Sequence, residues 1–462
     1  MKRILVIGAG LSTPSLIKYL LDQSEQQNWK VVVGDFSKEM AEKRVDGHPN
    51  GDAIQFDVMN DVQRAEETKK SDIVISMLPA RLHHLMAKCC IRFSKDMVTA
   101  SYVSPEVKEF HKEAKEKGIV LLNEIGLDPG IDHMSAMEVI DRLKGKGGKL
   151  TAFRSYTGGL VAPKYDNNPW NYKFTWNPRN VVLAGQGGAQ FIHNGMYKHI
   201  PYHKVFSRVQ QLHVNGYGEF EGYPNRDSLK YRGEYGIDDI PTMFRGTIRR
   251  PGYSKTWEAL VQLGVTDDSY VLENSENLTY RDFVNSFLKY ERVIPVEKKL
   301  ADYVGFAEDS FEMYKLRWLG LFDDTKIGLK NATPAQILQK ILEEKWQLDS
   351  DDKDMIVMQH KFEYVIDGGK KEITSSMVVE GKDNVHTAMA QTVGLPVGIA
   401  AKLLLTDVIN PTGVRMPTAK RIYDPVLKEL EEYGIKFTEK EREIPMNGNG
   451  NGNGTENGNG QY

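Results

Sequence analysis

Short apolar runs alternate with amphipathic segments through the first third of the chain. The runs are rich in Val, Ile and Leu and are bounded by Gly, Asp, Ser or Pro, as buried parallel strands are. They cover residues 3–9, 29–35, 72–78, 96–101 and 118–124. Between them, residues 14–23 and 104–118 carry apolar side chains at helical spacing. This alternation predicts an α/β fold with a Rossmann-like, doubly wound parallel sheet.

From about residue 149 the apolar positions follow longer, strand-like patterns. The stretches that predict strands of a mixed or antiparallel sheet are residues 150–160, 210–220, 242–250 and 356–381. The last of them contains a turn at Asp367-Gly-Gly. Residues 386–409 form an apolar, helix-like segment that would return the chain to the first domain.

These patterns divide the chain into segments of different character. The predicted segments are a Rossmann-like domain at 1–130 completed by about 385–443, an α/β mixed-sheet domain at 131–278 and 347–384, a small helical insertion rich in Lys and Glu at 279–346, and an Asn/Gly tail at 444–462. The tail has almost nothing apolar to bury, so it is expected to be disordered.

Composition and charge narrow the class of protein. The chain has 462 residues, too many for one hydrophobic core, so two or three domains are expected. Lys and Arg total 60 against 63 acidic residues, which leaves no electrostatic footprint for nucleic acid. The apolar segment that contains Pro396 and Lys402 is too short to span a bilayer, and the apolar run before Gly8 is too short for a signal peptide. A cytoplasmic protein without a nucleic-acid or membrane partner is expected.

Residue types that bind metals or form disulfides are few. The two cysteines, Cys89 and Cys90, are neighbours and cannot build a disulfide framework. The pair His83 and His84 has no third ligand at metal spacing, so no metal site is predicted.

The segment GAGLSTPSL follows the first predicted strand and opens the first predicted helix. Gly8 permits a tight turn and Gly10 a close approach of a pyrophosphate, while Thr13 replaces the third glycine of the dinucleotide fingerprint. We predict cofactor contacts from Gly8, Gly10, Leu11, Ser12 and Thr13. The alternative is a glycine turn with a purely structural role.

Asp35 ends the second predicted strand, 27 residues after Gly8. A carboxylate at this place accepts hydrogen bonds from the adenine-ribose hydroxyls and repels a 2'-phosphate. The sequence therefore favours NAD over NADP, although NADP stays possible. The alternative is that Asp35 only caps a helix.

Three further segments are more specific than the glycine turn: TASYVSPEVKEF (99–110), NEIGLDPGIDH (123–133) and YPNRDS (223–228). Together with GAGLSTPSL, ISMLPARLHH, TGGLVAP and DNNPWNYKFTW, they resemble the glutamate-forming saccharopine dehydrogenase family, also called saccharopine reductases. The resemblance runs in order from Met1 to about Glu443. It implies a nicotinamide-dependent oxidoreductase acting on a CH-NH donor in lysine metabolism, with a Rossmann-like domain, a substrate and dimerisation domain and a helical domain. It also implies a homodimer.

The expected reaction converts saccharopine into glutamate and 2-aminoadipate 6-semialdehyde through an imine. Saccharopine has three carboxylates, so its pocket needs cations, and Arg226 and Arg245 can each direct two donors at one carboxylate. We predict Tyr102 and Asp128 as catalytic residues, and Ser101 and Asp128 as further substrate contacts. The remaining predicted cofactor contacts are Asp57, Leu78, Pro79, Ser101, Tyr102, Leu127, Asp128 and Pro129.

Each of these residues has a simpler explanation. Asp128 before a proline is typical of turns, Tyr102 could be a half-buried aromatic, and Arg226 could form a surface ion pair. His133 could orient Asp132 or merely cap a helix. The chain also departs from the family, because Thr157 stands where the relatives carry a cysteine and Asp35 where fungal members are neutral or basic.

Two other functions compete with this one. A carboxynorspermidine- or homospermidine-type dehydrogenase would share the fold and the imine chemistry, but its diamine substrate needs an acidic pocket. A non-catalytic dinucleotide-binding regulatory protein would have no reason to carry all three polar loops.

Overall fold

The computed structural model describes residues 1–445, and the predicted Asn/Gly tail lies outside the described residues from position 446 onward. The strands are β1 (Lys2–Ile7), β2 (Trp29–Asp35), β3 (Gly51–Gln55), β4 (Ile73–Ser76), β5 (Asp96–Val98), β6 (Val120–Leu122), β7 (Lys149–Val161), β8 (Ala189–His193), β9 (Met196–Ile200), β10 (Gln210–Val214), β11 (Gly218–Pro224), β12 (Arg226–Asp227), β13 (Thr242–Arg249), β14 (Asp354–Ile366), β15 (Gly369–Glu380), β16 (Gly413–Arg415) and β17 (Thr438–Glu443). The helices are α1 (Pro14–Ser24), α2 (Lys38–Val45), α3 (Asp61–Lys70), α4 (His83–Phe93), α5 (Pro105–Glu109), α6 (His111–Glu116), α7 (Ile131–Gly145), α8 (Pro178–Val182), α9 (Tyr253–Leu263), α10 (Tyr280–Ser286), α11 (Val296–Val304), α12 (Phe311–Trp318), α13 (Pro334–Lys345), α14 (Ala388–Leu405) and α15 (Lys420–Glu432).

The first sheet has seven strands in the order β16-β6-β5-β4-β1-β2-β3, and all neighbouring pairs are parallel. The strand order reverses at β1, which has β2 on one side and β4 on the other. Ile7 is level with Gly34 of β2 and Ser76 of β4, so the carboxyl ends of the three strands lie side by side. This arrangement confirms the predicted Rossmann-like sheet and forms the crevice in which such sheets bind ligands.

The second sheet has ten strands, seven of them in the order β10-β11-β13-β7-β14-β15-β17, with β8, β9 and β12 beside this row. Strand β13 runs parallel to β7 and antiparallel to β11 and β8. The predicted mixed sheet is therefore confirmed. Helices α10, α11, α12 and α13 occupy the segment predicted as helical.

Two segments differ locally from the predicted elements. The segment predicted as one strand at 210–220 is the hairpin β10–β11, which turns at Asn215-Gly216 with Gly216 at φ +83°. Asn-Gly between apolar runs is a strong hairpin signal. The segment predicted as one helix at 104–118 is divided at Phe110 into α5 and α6.

The chain folds into two compact units, which we call the first and the second unit. The first unit comprises Met1–Lys149, Lys353–Ile356 and Met377–Thr438, and the second comprises Leu150–Asp352, Val357–Ser376 and the described residues that follow Thr438. The first unit continues through α7, beyond the boundary at residue 130 that the sequence suggests. The domain division inferred from the sequence stays a prediction.

Helix α14 is the central helix of the first unit. It runs for 18 residues, passes through Pro396 and Lys402, and has 83% of its length buried in the fold. A Cβ on Gly394 would lie 2.9 Å from the backbone nitrogen of Leu16, and one on Gly398 would lie 2.7 Å from the ring of Tyr19. The two glycines therefore let α14 pack closely on α1. Among residues 1–445 this is the one helix with the length and apolar composition of a membrane span, and core helices share both properties.

Candidate functional site

The glycine turn between β1 and α1 adopts a conformation that its residues require. Gly8 has φ +107°, and a Cβ there would lie 2.7 Å from the carbonyl oxygen of Met77, so only glycine fits. A Cβ on Gly10 would meet nothing within 4 Å, so the backbone is open there. Thr13 is buried and its hydroxyl donates to the carbonyl of Gly10 at 2.8 Å, and Pro14 begins α1. The threonine thus closes the turn where the fingerprint has its third glycine.

Asp35 fastens the end of β2 to this turn. Its Oδ2 accepts a hydrogen bond from the Ala9 nitrogen at 2.8 Å, and its Oδ1 accepts one from the Ser37 nitrogen at 2.9 Å. Each oxygen keeps a further lone pair for a ribose hydroxyl. The carboxylate is therefore both a structural anchor and a candidate ligand group.

Arg44, on α2, also contacts this turn, and no pattern in the sequence had identified it. Its Nε donates to the carbonyl of Ala9 at 3.1 Å and its Nη2 to that of Gly10 at 3.4 Å. Burial lowers the pKa of Arg44 from its usual range. The turn thus lies between the carboxylate of Asp35 and a guanidinium that no sequence motif marks.

A cavity of about 240 Å³ opens at the carboxyl ends of β1, β4 and β5. Its lining residues are Gly10, Leu11, Ser12, Thr13, Ser76, Met77, Leu78, Thr99, Ala100, Ser101 and Val393. Six of the predicted cofactor contacts are among them, namely Gly10, Leu11, Ser12, Thr13, Leu78 and Ser101. The open glycine turn, the helix behind it and the acid at the end of β2 fit a dinucleotide.

Two of the other predicted cofactor contacts lie on neighbouring loops, outside that lining. Asp57 follows β3, and its Oδ1 accepts a hydrogen bond from the Met59 nitrogen at 2.9 Å. Pro79 is exposed beyond β4. The sequence therefore placed these residues near the correct edge of the sheet, but the structure does not bring them into the cavity wall.

The loop that carries Asp128 is a tight, buried turn before α7. Gly130 has φ +147°, and a Cβ there would lie 2.1 Å from the carbonyl oxygen of Gly126. The Gly126 nitrogen donates to the Pro129 carbonyl at 2.9 Å. From residue 119 to residue 137 every position is buried except Asp128, which is half-buried. The turn therefore presents this one carboxylate, flanked by buried Leu127 and Pro129.

A buried carboxylate–imidazole pair holds the Asp128 turn and the loop of Tyr102 in place. Glu124 and His133 are fully buried, and Glu124 Oε2 lies 3.0 Å from His133 Nε2. Glu124 Oε1 accepts from the backbone nitrogen of Val103 at 3.0 Å, next to half-buried Tyr102. Asp132 accepts from the Gly130 nitrogen at 2.6 Å. The pair links the Tyr102 loop to α7, a role for Glu124 that the sequence did not reveal although the residue lies inside a specific motif.

Ser101 is held by a second buried histidine. His83, the first residue of α4, lies 2.8 Å from Ser76 Oγ through Nδ1 and 2.6 Å from Ser101 Oγ through Nε2. Burial, with a smaller contribution from His84, lowers the pKa of His83 to about 4. The imidazole is therefore neutral at physiological pH. Within residues 1–445 no group of three potential ligands could hold a metal ion, and the prediction of no metal stays a prediction.

In the second unit, one face of β13 and its neighbours is buried and polar. Arg245, Thr247 and Arg249 alternate along β13 and so share that face. Arg245 is level with Ser155, and Thr247 with Thr157, on β7. All but Thr247 are buried. The face thus collects two arginines and three hydroxyl residues.

Arg249 is a buried cation that the sequence did not single out. Its guanidinium lies 4.7 Å from the ring centroid of Tyr172 and 5.2 Å from that of Tyr253, and its Nη1 donates to the Ile248 carbonyl. Among the ion pairs of the described residues, none joins Arg249 to a carboxylate. Its Nε and the buried hydroxyl of Thr157 have no hydrogen-bond partner. A buried guanidinium that forms no ion pair is a candidate binding site for the carboxylate of a ligand.

Arg226 belongs to the edge of the same sheet. It is exposed, has φ +51° and is level with Ala189 of β8. The nitrogen of the preceding Asn225 donates to the Arg245 carbonyl at 3.0 Å, so the backbones of the two predicted arginines are neighbours. Arg226 also lines a cavity of about 570 Å³ together with residues 186–190 and 199–202.

A parallel sheet with this glycine turn and this acid at the end of β2 defines a dinucleotide-binding protein of the Rossmann class. Residues 4–122 match the family model described as the saccharopine dehydrogenase NADP binding domain, and residues 126–435 match the saccharopine dehydrogenase C-terminal domain. The chain belongs to the saccharopine dehydrogenase family, as the sequence motifs predict.

Relatives of known name agree along nearly the whole chain. Saccharopine dehydrogenase [NADP(+), L-glutamate-forming] of Pyricularia oryzae is 34% identical over 449 residues, covering 95% of this chain and 99% of that protein. Mitochondrial alpha-aminoadipic semialdehyde synthase of Mus musculus is 35% identical over 94% of this chain, which spans 47% of that longer protein. The name of the Pyricularia oryzae enzyme and the family model of residues 4–122 refer to NADP, so they do not support the NAD preference expected from Asp35.

Solved structures also resemble the fold. The apo saccharopine dehydrogenase (L-Glu forming) from Saccharomyces cerevisiae superposes with a TM-score of 0.87 at 33% identity, covering 96% of this chain and all of that one. The homospermidine synthase from Legionella pneumophila in complex with NAD gives a TM-score of 0.55 at 10% identity and covers 95% of this chain, so the likeness concerns the fold alone.

Proposed function

We propose that the chain is a glutamate-forming saccharopine dehydrogenase. It oxidises saccharopine to glutamate and 2-aminoadipate 6-semialdehyde in lysine metabolism. The observation that carries this function is the half-buried carboxylate of Asp128, presented by an otherwise buried turn in the unit that holds the dinucleotide cavity. Similarity to the fungal enzymes over 95% of the chain supports the same conclusion.

The reaction removes a hydride from the carbon that bears the secondary amine and a proton from its nitrogen. A nicotinamide dinucleotide held at the glycine turn would supply the acceptor for this hydride. Water then adds to the resulting C=N bond, and cleavage of the C–N bond releases the aldehyde and the amino group of glutamate. Asp128 and Tyr102 hold and move protons at the nitrogen and at water. Glu124 keeps the Tyr102 loop in place through the Val103 nitrogen.

The substrate carboxylates bind to the arginines of the second unit. Arg245 and Arg249 share one buried face of β13, and Arg226 follows at the edge of the sheet. A diamine substrate would need acids at these positions, so the homospermidine-type alternative is disfavoured. The hydroxyl of Thr157 stands where a thiol was expected, and the mechanism proposed here uses no thiol.

For the cofactor we propose NAD, with NADP as the weaker alternative. The proposal rests on Asp35, which is held at the glycine turn by the Ala9 and Ser37 nitrogens and would face a 2'-phosphate with its negative charge. The homodimer and the cytoplasmic location inferred from the sequence also stand as proposals.

Incubating the purified protein with saccharopine and either NAD or NADP, while following absorbance of the reduced nicotinamide, tests the function and the preference together. Turnover with glutamate and the semialdehyde as products supports the proposed reaction. Binding of the dinucleotide without turnover of saccharopine would instead support the non-catalytic alternative.

A further inference from the structure

The hydrogen bonds of His83 join two strand ends to the cofactor cavity. Ser76 ends β4, Ser101 follows β5, and the imidazole of His83 lies between their hydroxyls at 2.8 and 2.6 Å. Both serines are among the lining residues of the cavity, but Ser76 has no exposed surface, whereas Ser101 is half-buried. His83 has 3% of its surface exposed. We call the hydrogen-bonded series Ser76–His83–Ser101 the relay. Its end at Ser76 is closed to solvent, and its end at Ser101 is open to the cavity.

The closed end at Ser76 determines which atom is the donor in each hydrogen bond of the relay. A neutral imidazole has one N–H donor and one acceptor nitrogen, and a serine hydroxyl has one proton to donate. The hydroxyl of Ser76 has His83 Nδ1 as its hydrogen-bond partner. If Nδ1 carried the proton, the hydroxyl hydrogen of Ser76 would be buried with no acceptor, which costs about 1–3 kcal/mol. Ser76 therefore donates to Nδ1, and the proton of the imidazole is on Nε2.

The proton on Nε2 then determines the direction of the second hydrogen bond, the one to Ser101 at the cavity. Nε2–H donates to Ser101 Oγ, so this oxygen is already accepting a hydrogen bond and its own proton is directed elsewhere. The Ser101 backbone is fixed independently, because its nitrogen donates to Thr99 Oγ1 at 3.2 Å and its carbonyl accepts from the Glu124 nitrogen at 3.0 Å. Ser101 can consequently donate its hydroxyl hydrogen to whatever occupies the cavity.

We propose that Ser76 and His83 are positioning residues that make the Ser101 hydroxyl a hydrogen-bond donor to an oxygen of the bound ligand. This inference rests on the proposed function for the identity of that ligand, which is either the dinucleotide or saccharopine. Both carry carbonyl or anionic oxygens that accept such a bond. A direct role of His83 in proton transfer is not part of the inference, because both of its nitrogens are used.

A spectroscopic test is independent of activity. In protein labelled with ¹⁵N-histidine, the signals that disappear in His83→Gln identify His83 among the 11 histidines. The expected wild-type spectrum at neutral pH has a protonated Nε2 and a bare Nδ1. In Ser76→Ala the tautomer is no longer fixed and a mixture is expected, and Ser76→Thr, which keeps the hydroxyl, restores the single form. A wild-type Nδ1–H tautomer overturns the inference.

A binding and kinetic test locates the acceptor. Ser101→Ala is expected to weaken one ligand by about 2- to 10-fold, the effect of one hydrogen bond, and Ser76→Ala to weaken the same ligand by less. A change in the dissociation constant of the dinucleotide alone assigns the acceptor to the cofactor, and a change in KM for saccharopine at saturating cofactor assigns it to the substrate. Unchanged values in both measurements overturn the inference.

The double variant separates positioning from general structural damage. If Ser76 acts only through Ser101, Ser76→Ala combined with Ser101→Ala weakens binding no more than Ser101→Ala alone. Additive losses would mean that Ser76 has an independent structural role, and the inference would fail. If saccharopine is not a substrate, the spectrum and the dinucleotide measurement still decide the inference, so its failure is distinguishable from failure of the proposed function.

Discussion

The polar side chains around the glycine turn of the first unit are bonded to the fold itself, whereas two polar atoms on the buried face of β13 in the second unit have no partner. Around the glycine turn, Asp35, Arg44 and Thr13 each bond to backbone atoms. On the polar face of β13, Arg249 Nε and Thr157 Oγ1 have no partner. The glycine turn is therefore preorganised by backbone contacts, whereas the face of β13 keeps polar atoms that we propose a charged ligand would pair.

The largest effect is expected at the carboxylate that the Asp128 turn presents. Asp128→Asn should lower kcat by roughly 10- to 1,000-fold, the span for removal of one proton-transferring group, while the nearly isosteric amide leaves the turn intact. Tyr102→Phe should have a smaller effect, because water can replace one member of a proton relay. Steady-state kinetics across the pH range measure both. A folded Asp128→Asn enzyme with undiminished kcat would reduce Asp128 to a turn residue.

A lower pH should reduce the free energy of unfolding of the first unit, because His83 is buried as a neutral imidazole. Burial lowers the pKa of the folded-state imidazole to about 4 from the ordinary 6.5, so between these pH values the unfolded chain binds a proton that the folded chain does not. The free energy of unfolding is therefore complete above about pH 6.5 and falls as the pH drops to about 4, by on the order of 3 kcal/mol. Denaturant unfolding of the protein and of His83→Gln at several pH values measures the difference. An identical pH dependence in both proteins would contradict the prediction.

Substrate affinity should depend on the arginines of the second unit. Arg226→Ala is expected to raise KM for saccharopine by about 10- to 100-fold, the effect of losing a charge-assisted contact, with little change in the dissociation constant of the dinucleotide. Arg232→Ala is the matched control, because that guanidinium bonds to the Asp238 carbonyl and the Tyr197 hydroxyl. Loss of dinucleotide binding or of folding in Arg226→Ala would make this arginine structural.

The smallest effect is expected in cofactor choice. NAD should be used about tenfold better than NADP in kcat/KM, because a 2'-phosphate would lie against the Asp35 carboxylate. Asp35→Ser combined with Phe36→Arg should shift the preference toward NADP. Comparable kcat/KM values for the two cofactors in the unaltered protein would contradict the proposed preference for NAD.

Local patterns were enough to predict the Rossmann-like sheet and its glycine turn. The motif GAGLSTPSL combines strand, turn and helix within a few residues, and the structure forms all three there. Strand β3, GDAIQ, was missed because most of its residues are only half-buried or exposed and so it has no continuous apolar run. Strand β16, GVR, was also missed, because Val414 is its one large apolar side chain and is only half-buried.

The supporting residues of the site could not be found in this way. Arg44 bonds to residues 34 and 35 positions away, and His83 bonds to Ser101 18 positions away. Arg249 is distinguished only by its tertiary surroundings, the rings of three tyrosines. Such roles depend on tertiary contacts, which no spacing in a single sequence encodes.

The packing of α14 on α1 also affects how the first unit folds during translation. Gly394 and Gly398 approach α1 closely, and their neighbour Val393 forms part of the cavity wall. During synthesis the fingerprint at residues 8–13 leaves the ribosome long before this helix does. The nascent chain therefore carries an incomplete cofactor site, and its first helix keeps an uncovered apolar face until almost nine-tenths of the polypeptide has been translated.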